Sequence, residues 1–236
     1  MFNIVSIIAR IVLFMIGWSP IERKTFSKLL YYRRVLVVFS HSSYYDFYIM
    51  IIYILAYPEE LAHVRTLVKP QPFKYFGWLL KRFGAIPSTR IEDKSGGAVD
   101  RIVEELNNSK DFIFLISPKG SILFREWRSG FYHIAQKLQV PIIVVGFDYE
   151  DHCVYVSDKA INYSKSYEEV VDFCKNYLGE ITPLHPKHEI NYRRPSKLPT
   201  AVGVDLKSYK VLINFLIRIL ITFFIVYLLF HIYESV

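Results

Sequence analysis

The chain contains two cysteines, Cys153 and Cys174. Two are too few for a disulfide framework, and neither has the paired spacing of a zinc site. A reducing compartment is therefore the simpler reading, with one disulfide left open. His185 and His188 have no nearby cysteine and no clear third ligand, so they read as solvated loop histidines and no metal is expected. Neither Ser117-Pro118-Lys119-Gly120-Ser121 nor Arg128-Ser129-Gly130 has the glycine-serine-glycine frame of a nucleophile elbow, which argues against a covalent serine hydrolase. Internal repeats and low-complexity tracts are also missing. Acidic residues are in deficit, 22 against 29 Lys plus Arg, for a net charge of +7. The resulting pI near 9.2 points to anionic partners: lipid headgroups, phosphorylated substrates or nucleic acid. Nucleic acid is the poorest fit, because most of the 18 Tyr and 18 Phe lie in apolar runs. What the chain has in plenty is apolar surface, 52% hydrophobic residues with a mean hydropathy of +0.22. A length of 236 residues suits one domain with appended segments.

The apolar excess is concentrated at the ends. Val211 to Tyr233 is about 23 residues long, enough for a helix to cross a hydrocarbon core of roughly 30 Å. Its polar members, Asn214 and Arg218, sit near its start, where an arginine can snorkel towards headgroups. Lys and Arg crowd the preceding flank (Arg193, Arg194, Lys197, Lys207, Lys210) and none follows, so the positive-inside rule places the body on the cytoplasmic side. Met1 to Trp18 is apolar too. There Asn3, Ser6 and Arg10 share one narrow helical face and leave a broad apolar face opposite, as in an interfacial helix or an amphipathic helix covering a core. A cleaved signal peptide is a poor match, since no Lys or Arg precedes the run and no small-residue cleavage site lies near Trp18.

Between the ends, β-branched runs alternate with helical periodicity. Strands are expected at 35–39, 64–68, 112–116, 142–147 and 154–156, and helices at 46–56, 73–83, 98–106, 130–138 and 167–178. This alternation predicts an α/β fold with a mostly parallel central sheet covered by helices. The expected organisation is an N-terminal membrane-associated segment (1–30), an α/β domain (31–181), a basic linker (182–209) and a transmembrane anchor (210–233).

In such sheets, ligand-handling residues gather in loops after the strands, and the first of these reads Ser40-His41-Ser42-Ser43-Tyr44-Tyr45-Asp46. Histidine is the usual general base near neutral pH and works best with a carboxylate fixing its tautomer. Asp46 can serve His41 only if the histidine stays in the loop and the aspartate lies in the first helical turn, facing back. Ser43 is the candidate N-cap for that turn. The competing reading makes Ser43 and Asp46 a capping box and His41 a plain loop residue.

Three further segments accompany the first: Gly84-Ala85-Ile86-Pro87-Ser88-Thr89-Arg90, Ser117-Pro118-Lys119-Gly120-Ser121, and Val140-Pro141-Ile142-Ile143. In this order the blocks resemble those of the glycerolipid acyltransferase family, the lysophosphatidic acid acyltransferases, over roughly residues 35–149. Trp127 to Ala135 also looks like a segment common in small bacterial-type members. The resemblance implies that His41 is the catalytic base, Asp46 its orienting carboxylate, and Arg90 a residue that holds the acceptor's phosphate. The third block departs from the pattern: Pro118-Lys119-Gly120-Ser121-Ile122 stands where the family usually has Pro-Glu-Gly-Thr-Arg. Gly120 and Ser121 still permit a turn that presents backbone N–H groups to an oxyanion or phosphate, and Lys119, Arg125 or Arg128 could replace the lost positive charge.

The expectation is an O-acyltransferase that moves a fatty acyl group from acyl-CoA or acyl carrier protein to the sn-2 hydroxyl of lysophosphatidic acid, giving phosphatidic acid. No cofactor, metal or redox centre is needed. Lys69, Lys74, Lys81 and Arg82 lie near the second block, either as charge for substrate phosphates or as a solvated helix face. Membrane lipids and a lysophospholipid acceptor are the expected partners. The alternatives are a different lysophospholipid acceptor, or a weakly catalytic lipid-binding adaptor of the same fold.

Overall fold

The computed structural model describes residues 4–20, 31–59, 61–88, 97–120 and 126–185. Six strands form one sheet: β1 (Arg34–Phe39), β2 (Val64–Val68), β3 (Ala85–Pro87), β4 (Phe112–Ile116), β5 (Ile142–Asp148) and β6 (Cys153–Val156). Among the described residues six helices accompany them: α1 (Ile4–Met15), α2 (Tyr45–Ala56), α3 (Phe73–Arg82), α4 (Ala98–Asn107), α5 (Gly130–Leu138) and α6 (Tyr167–Gly179). The strand order is β3-β2-β4-β1-β5-β6. Every pairing is parallel except that of β5 with β6.

The central strands read Val-Leu-Val-Val, Phe-Ile-Phe-Leu-Ile and Ile-Ile-Val-Val because helices cover both of their faces and no position looks out to water. One core layer gathers Val35, Val37, Ile143 and Val145 with residues of α1 and α2, including Leu13, Ile49 and Tyr53. The opposite layer gathers Leu36, Val38, Phe112, Phe114 and Val144 with α4, α5 and α6, through Leu106, Phe131, Ile134, Val170 and Leu178. Connections β1-α2-β2 and β2-α3-β3 step one way across the sheet, while β3-α4-β4 and β4-α5-β5 step back. Right-handed crossovers therefore put α2 and α3 on one face and α4 and α5 on the other.

The expected mostly parallel α/β architecture is present, and the ten strands and helices read from periodicity lie within about one residue of their observed bounds. The exception is β3, three residues long, which pairs with β2 through Thr66, Leu67 and Val68. Gly84 leads into it at φ 73°, and a Cβ there would lie 2.0 Å from the Val64 carbonyl oxygen. Only glycine fits that approach.

The N-terminal helix exposes its apolar face, the orientation of the interfacial reading and not of the core-covering one. Its polar stripe faces inward: Ser6 Oγ and Arg10 Nε both donate to the Ala56 carbonyl at the end of α2, at 2.7 and 2.9 Å. The Arg10 guanidinium also lies 4.7 Å from the centre of the Tyr57 ring. The broad apolar face, with Ile4, Ile8 and Phe14, is exposed. At 12 residues α1 is about 18 Å long, and among the described residues no helix is long and apolar enough to cross a membrane. The expected anchor at 210–233 and all but the first few residues of the expected linker lie outside the described residues.

Replacing Gly84 by alanine must displace β2 or strain the backbone, and is expected to cost about 2–3 kcal/mol. The thermal midpoint of Gly84→Ala should fall by roughly 5–10 °C.

Candidate active site

Parallel neighbours end at the same edge of a sheet, so the segments after β1, β4 and β5 emerge side by side. The registers Val38↔Ile116 and Phe39↔Val145 set His41, the Ser117–Gly120 segment and Tyr149 at this edge. Here α2 begins with Tyr44 as its N-cap and Asp46 in its first turn. The expected cap was Ser43. The structure gives Ser43 another part, its Oγ accepting from the Tyr45 N–H at 3.1 Å. Tyr44 makes no side-chain cap bond; the first helical N–H, that of Tyr45, is taken by Ser43, while the Asp46 carboxylate turns back to the loop ahead of the helix.

Asp46 is 2% exposed, and its carboxylate is enclosed by donors. Oδ2 accepts the backbone N–H groups of Ser42 at 2.8 Å and Ser43 at 2.9 Å. The same oxygen lies 3.3 Å from His41 Nδ1. Oδ1 accepts the Tyr149 hydroxyl at 2.6 Å. An ionised carboxylate has no proton to give, so the His41 contact requires a proton on Nδ1, and a neutral imidazole so held carries its lone pair on Nε2. One oxygen of Asp46 thus holds both the backbone of the loop and the ring of His41. Desolvation by burial, reinforced by the charge of Asp46 and the hydrogen bond to it, raises the Tyr149 phenol well above its ordinary value. Tyr149 consequently remains a proton donor through the neutral range.

The third block forms a tight turn. Gly120 N–H donates to the Ser117 carbonyl at 3.0 Å, with Gly120 at φ 64°. Pro118 and Gly120 occupy the second and fourth positions, where a β-turn favours them. That N–H is spent inside the turn and is not presented outward, contrary to the expectation for Gly120. The Arg128 N–H closes back on the Pro118 carbonyl at 3.0 Å. Lys119 is 2% exposed. The Ser117 Oγ is buried and has no hydrogen-bond partner among the described residues. Arg90, Ser121 and Arg125 lie outside the described residues, as does Ile122. Among the described residues no group of His, Cys, Asp and Glu is arranged to hold a metal ion.

Tyr149 was missed in the sequence. It stands 103 positions from Asp46 and belongs to none of the four blocks, so only the place of β5 beside β1 brings it to the site.

A histidine backed by a buried carboxylate at the carboxyl edge of a parallel sheet is an arrangement suited to acid-base chemistry. The family model for acyltransferases matches residues 20–148, more than half of the chain, including His41, Asp46 and the Ser117–Gly120 turn. The chain belongs to the glycerolipid acyltransferase family, which includes the lysophosphatidic acid acyltransferases. No curated protein and no solved structure matches it significantly.

Removing the Asp46 carboxylate strands two backbone donors and a phenol in a buried place. Asp46→Ala is expected to lower the unfolding free energy by about 2–4 kcal/mol in chemical denaturation. His41→Ala, which strands nothing comparable, should stay within about 1 kcal/mol of wild type.

Proposed function

We propose that the protein transfers a fatty acyl group from a thioester donor, acyl-CoA or acyl carrier protein, to the sn-2 hydroxyl of lysophosphatidic acid. The observation that carries this reading is the His41–Asp46 pair, held by Ser42, Ser43 and Tyr149 within a chain of the acyltransferase family. In the proposed reaction His41 Nε2 takes the proton of the acceptor hydroxyl as its oxygen attacks the thioester carbonyl carbon. Asp46 stabilises the imidazolium that results. The tetrahedral oxyanion collapses, the carbon–sulfur bond breaks, and the departing thiolate takes the proton from Nε2. One hydroxyl and one thioester become one ester and one thiol, with no electrons to supply or remove.

For the acceptor's phosphate we assign Arg90, on its place at the end of the second block, together with Lys119 and Ser121 of the third. Lys119 restores a cation to a turn that lacks the family's arginine, and the Ser117–Gly120 segment follows the strand next to that of His41. Gly120 shapes this turn through its positive φ.

Attachment to a membrane, with the body on the cytoplasmic face, is part of the same proposal. Its support is an asymmetry of the surface. Among the described residues, the exposed large hydrophobic side chains on helices lie on α1 (Ile4, Ile8 and Phe14 among them), on α2 (Tyr45 and Tyr48) and on α3 (Tyr75, Phe76 and Trp78), whereas α4, α5 and α6 contribute none. α1 and α2 cover one face of the sheet, the face to which a right-handed crossover also assigns α3. Lys74, Lys81 and Arg82 share α3 with its aromatics, the pairing of rings and cations that suits an anionic headgroup layer. A membrane-borne acceptor would reach His41 from that face.

Labelled acyl transfer in detergent, with both donors and lysophosphatidic acid, tests the reading. Wild type should form phosphatidic acid, and His41→Ala should lose roughly 10²- to 10⁴-fold in turnover. Product with another lysolipid alone would move the acceptor. Silence with every acceptor from a folded, lipid-bound protein would leave a lipid-binding protein of the same fold. In sealed membrane vesicles, protease should reach the body from the cytoplasmic side only; cleavage from the opposite side, or a protein washed off by salt, would overturn the placement.

A further inference from the structure

We propose that Tyr149 is a positioning residue for the His41–Asp46 pair, its hydroxyl fixing the rotation of the Asp46 carboxylate so that one oxygen alone faces the histidine. This rests on the acid-base reading of that pair. A carboxylate on a helix can turn about its last torsion and offer either oxygen to a neighbour. The two backbone donors and His41 Nδ1 all address Oδ2, and a third donor to the same atom is already more than its lone pairs accept ideally. The Tyr149 hydroxyl takes Oδ1 from the opposite side at 2.6 Å and removes the second choice.

Tyr149 is itself firmly held. Its backbone N–H donates to the Thr182 carbonyl at 2.9 Å, and the Thr182 N–H returns to Asp148 Oδ2 at 2.9 Å. Asp148 Oδ1 meanwhile accepts from the N–H groups of Glu150 and Asp151, at 2.9 and 2.8 Å, so the turn that bears the tyrosine is pinned from both sides. On the ring, Trp18 packs edge-on with centroids 5.2 Å apart. Trp18 belongs to the segment leaving α1, and the Ser19 N–H just after it donates to the His152 carbonyl at 2.8 Å. The phenol is thus aimed at Asp46 by contacts on its ring and its backbone that do not need its hydroxyl.

Tyr149→Phe removes the hydroxyl and keeps the ring against Trp18. The expected result is a kcat lowered roughly tenfold with KM for donor and acceptor unchanged, and a thermal midpoint close to wild type. A second readout does not depend on turnover. In ¹⁵N-histidine NMR, the His41 signal, assigned by its loss in His41→Ala, should show the Nδ1–H tautomer in wild type and a mixture in Tyr149→Phe. Unchanged kcat together with an unchanged tautomer would overturn the proposal. So would a change confined to KM, which would make Tyr149 a substrate contact. A wild type without any acyl transfer would instead defeat the acid-base reading, and the tautomer would then decide the role of Tyr149 by itself.

Discussion

The carboxylate of Asp46 is the constraint on which the active edge depends. A buried acid with too few donors would be a liability of several kcal/mol, so the loop after β1, the first turn of α2 and the end of β5 must all stay where they supply them. The sheet makes this affordable. Because β1 lies between β4 and β5, the loops that carry His41, Lys119 and Tyr149 are neighbours in space although more than a hundred residues separate the first from the last. Packing in both core layers fixes the strands, the strands fix the edge, and the edge fixes the donors.

Much of the fold was legible because the central strands are covered on both sides. Their uninterrupted apolar runs, separated by stretches with helical periodicity, leave little choice but a parallel sheet. β3 escaped because three residues carry no periodicity, and its place is set by the glycine before it and by pairing with β2. At the site, His41 and Asp46 were legible through local spacing and the resemblance of the blocks. Whether Asp46 faces back to His41 or only caps its helix was not, because both use the same carboxylate and differ only in which way the loop turns. Tyr149 had no local signal at all. The turn at Gly120 was foreseen as a turn, yet the destination of its N–H depends on backbone angles that residue types do not specify.

The N-terminal segment illustrates a different limit. Periodicity correctly separated a polar stripe from an apolar face, but hydrophobicity alone suggests that the apolar side packs inward. Here the polar stripe packs inward instead, because the end of α2 offers a carbonyl for Ser6 and Arg10 to satisfy. Ala9 and Leu13 fill the remaining contact with small or compact apolar groups, leaving the larger hydrophobic residues outside.

That inverted helix has a mechanical meaning. A helix fastened by two hydrogen bonds to the far end of α2, and by Tyr53 through the Ser19 carbonyl at 2.6 Å, is not a tether on which the body swings. Whatever surface its outer side rests on, the body must follow as one piece. α1 runs back along α2, from Ser6 and Arg10 at the Ala56 carbonyl to Trp18 on the ring of Tyr149, so the outer side of α1 and the His41–Asp46 pair keep one fixed separation.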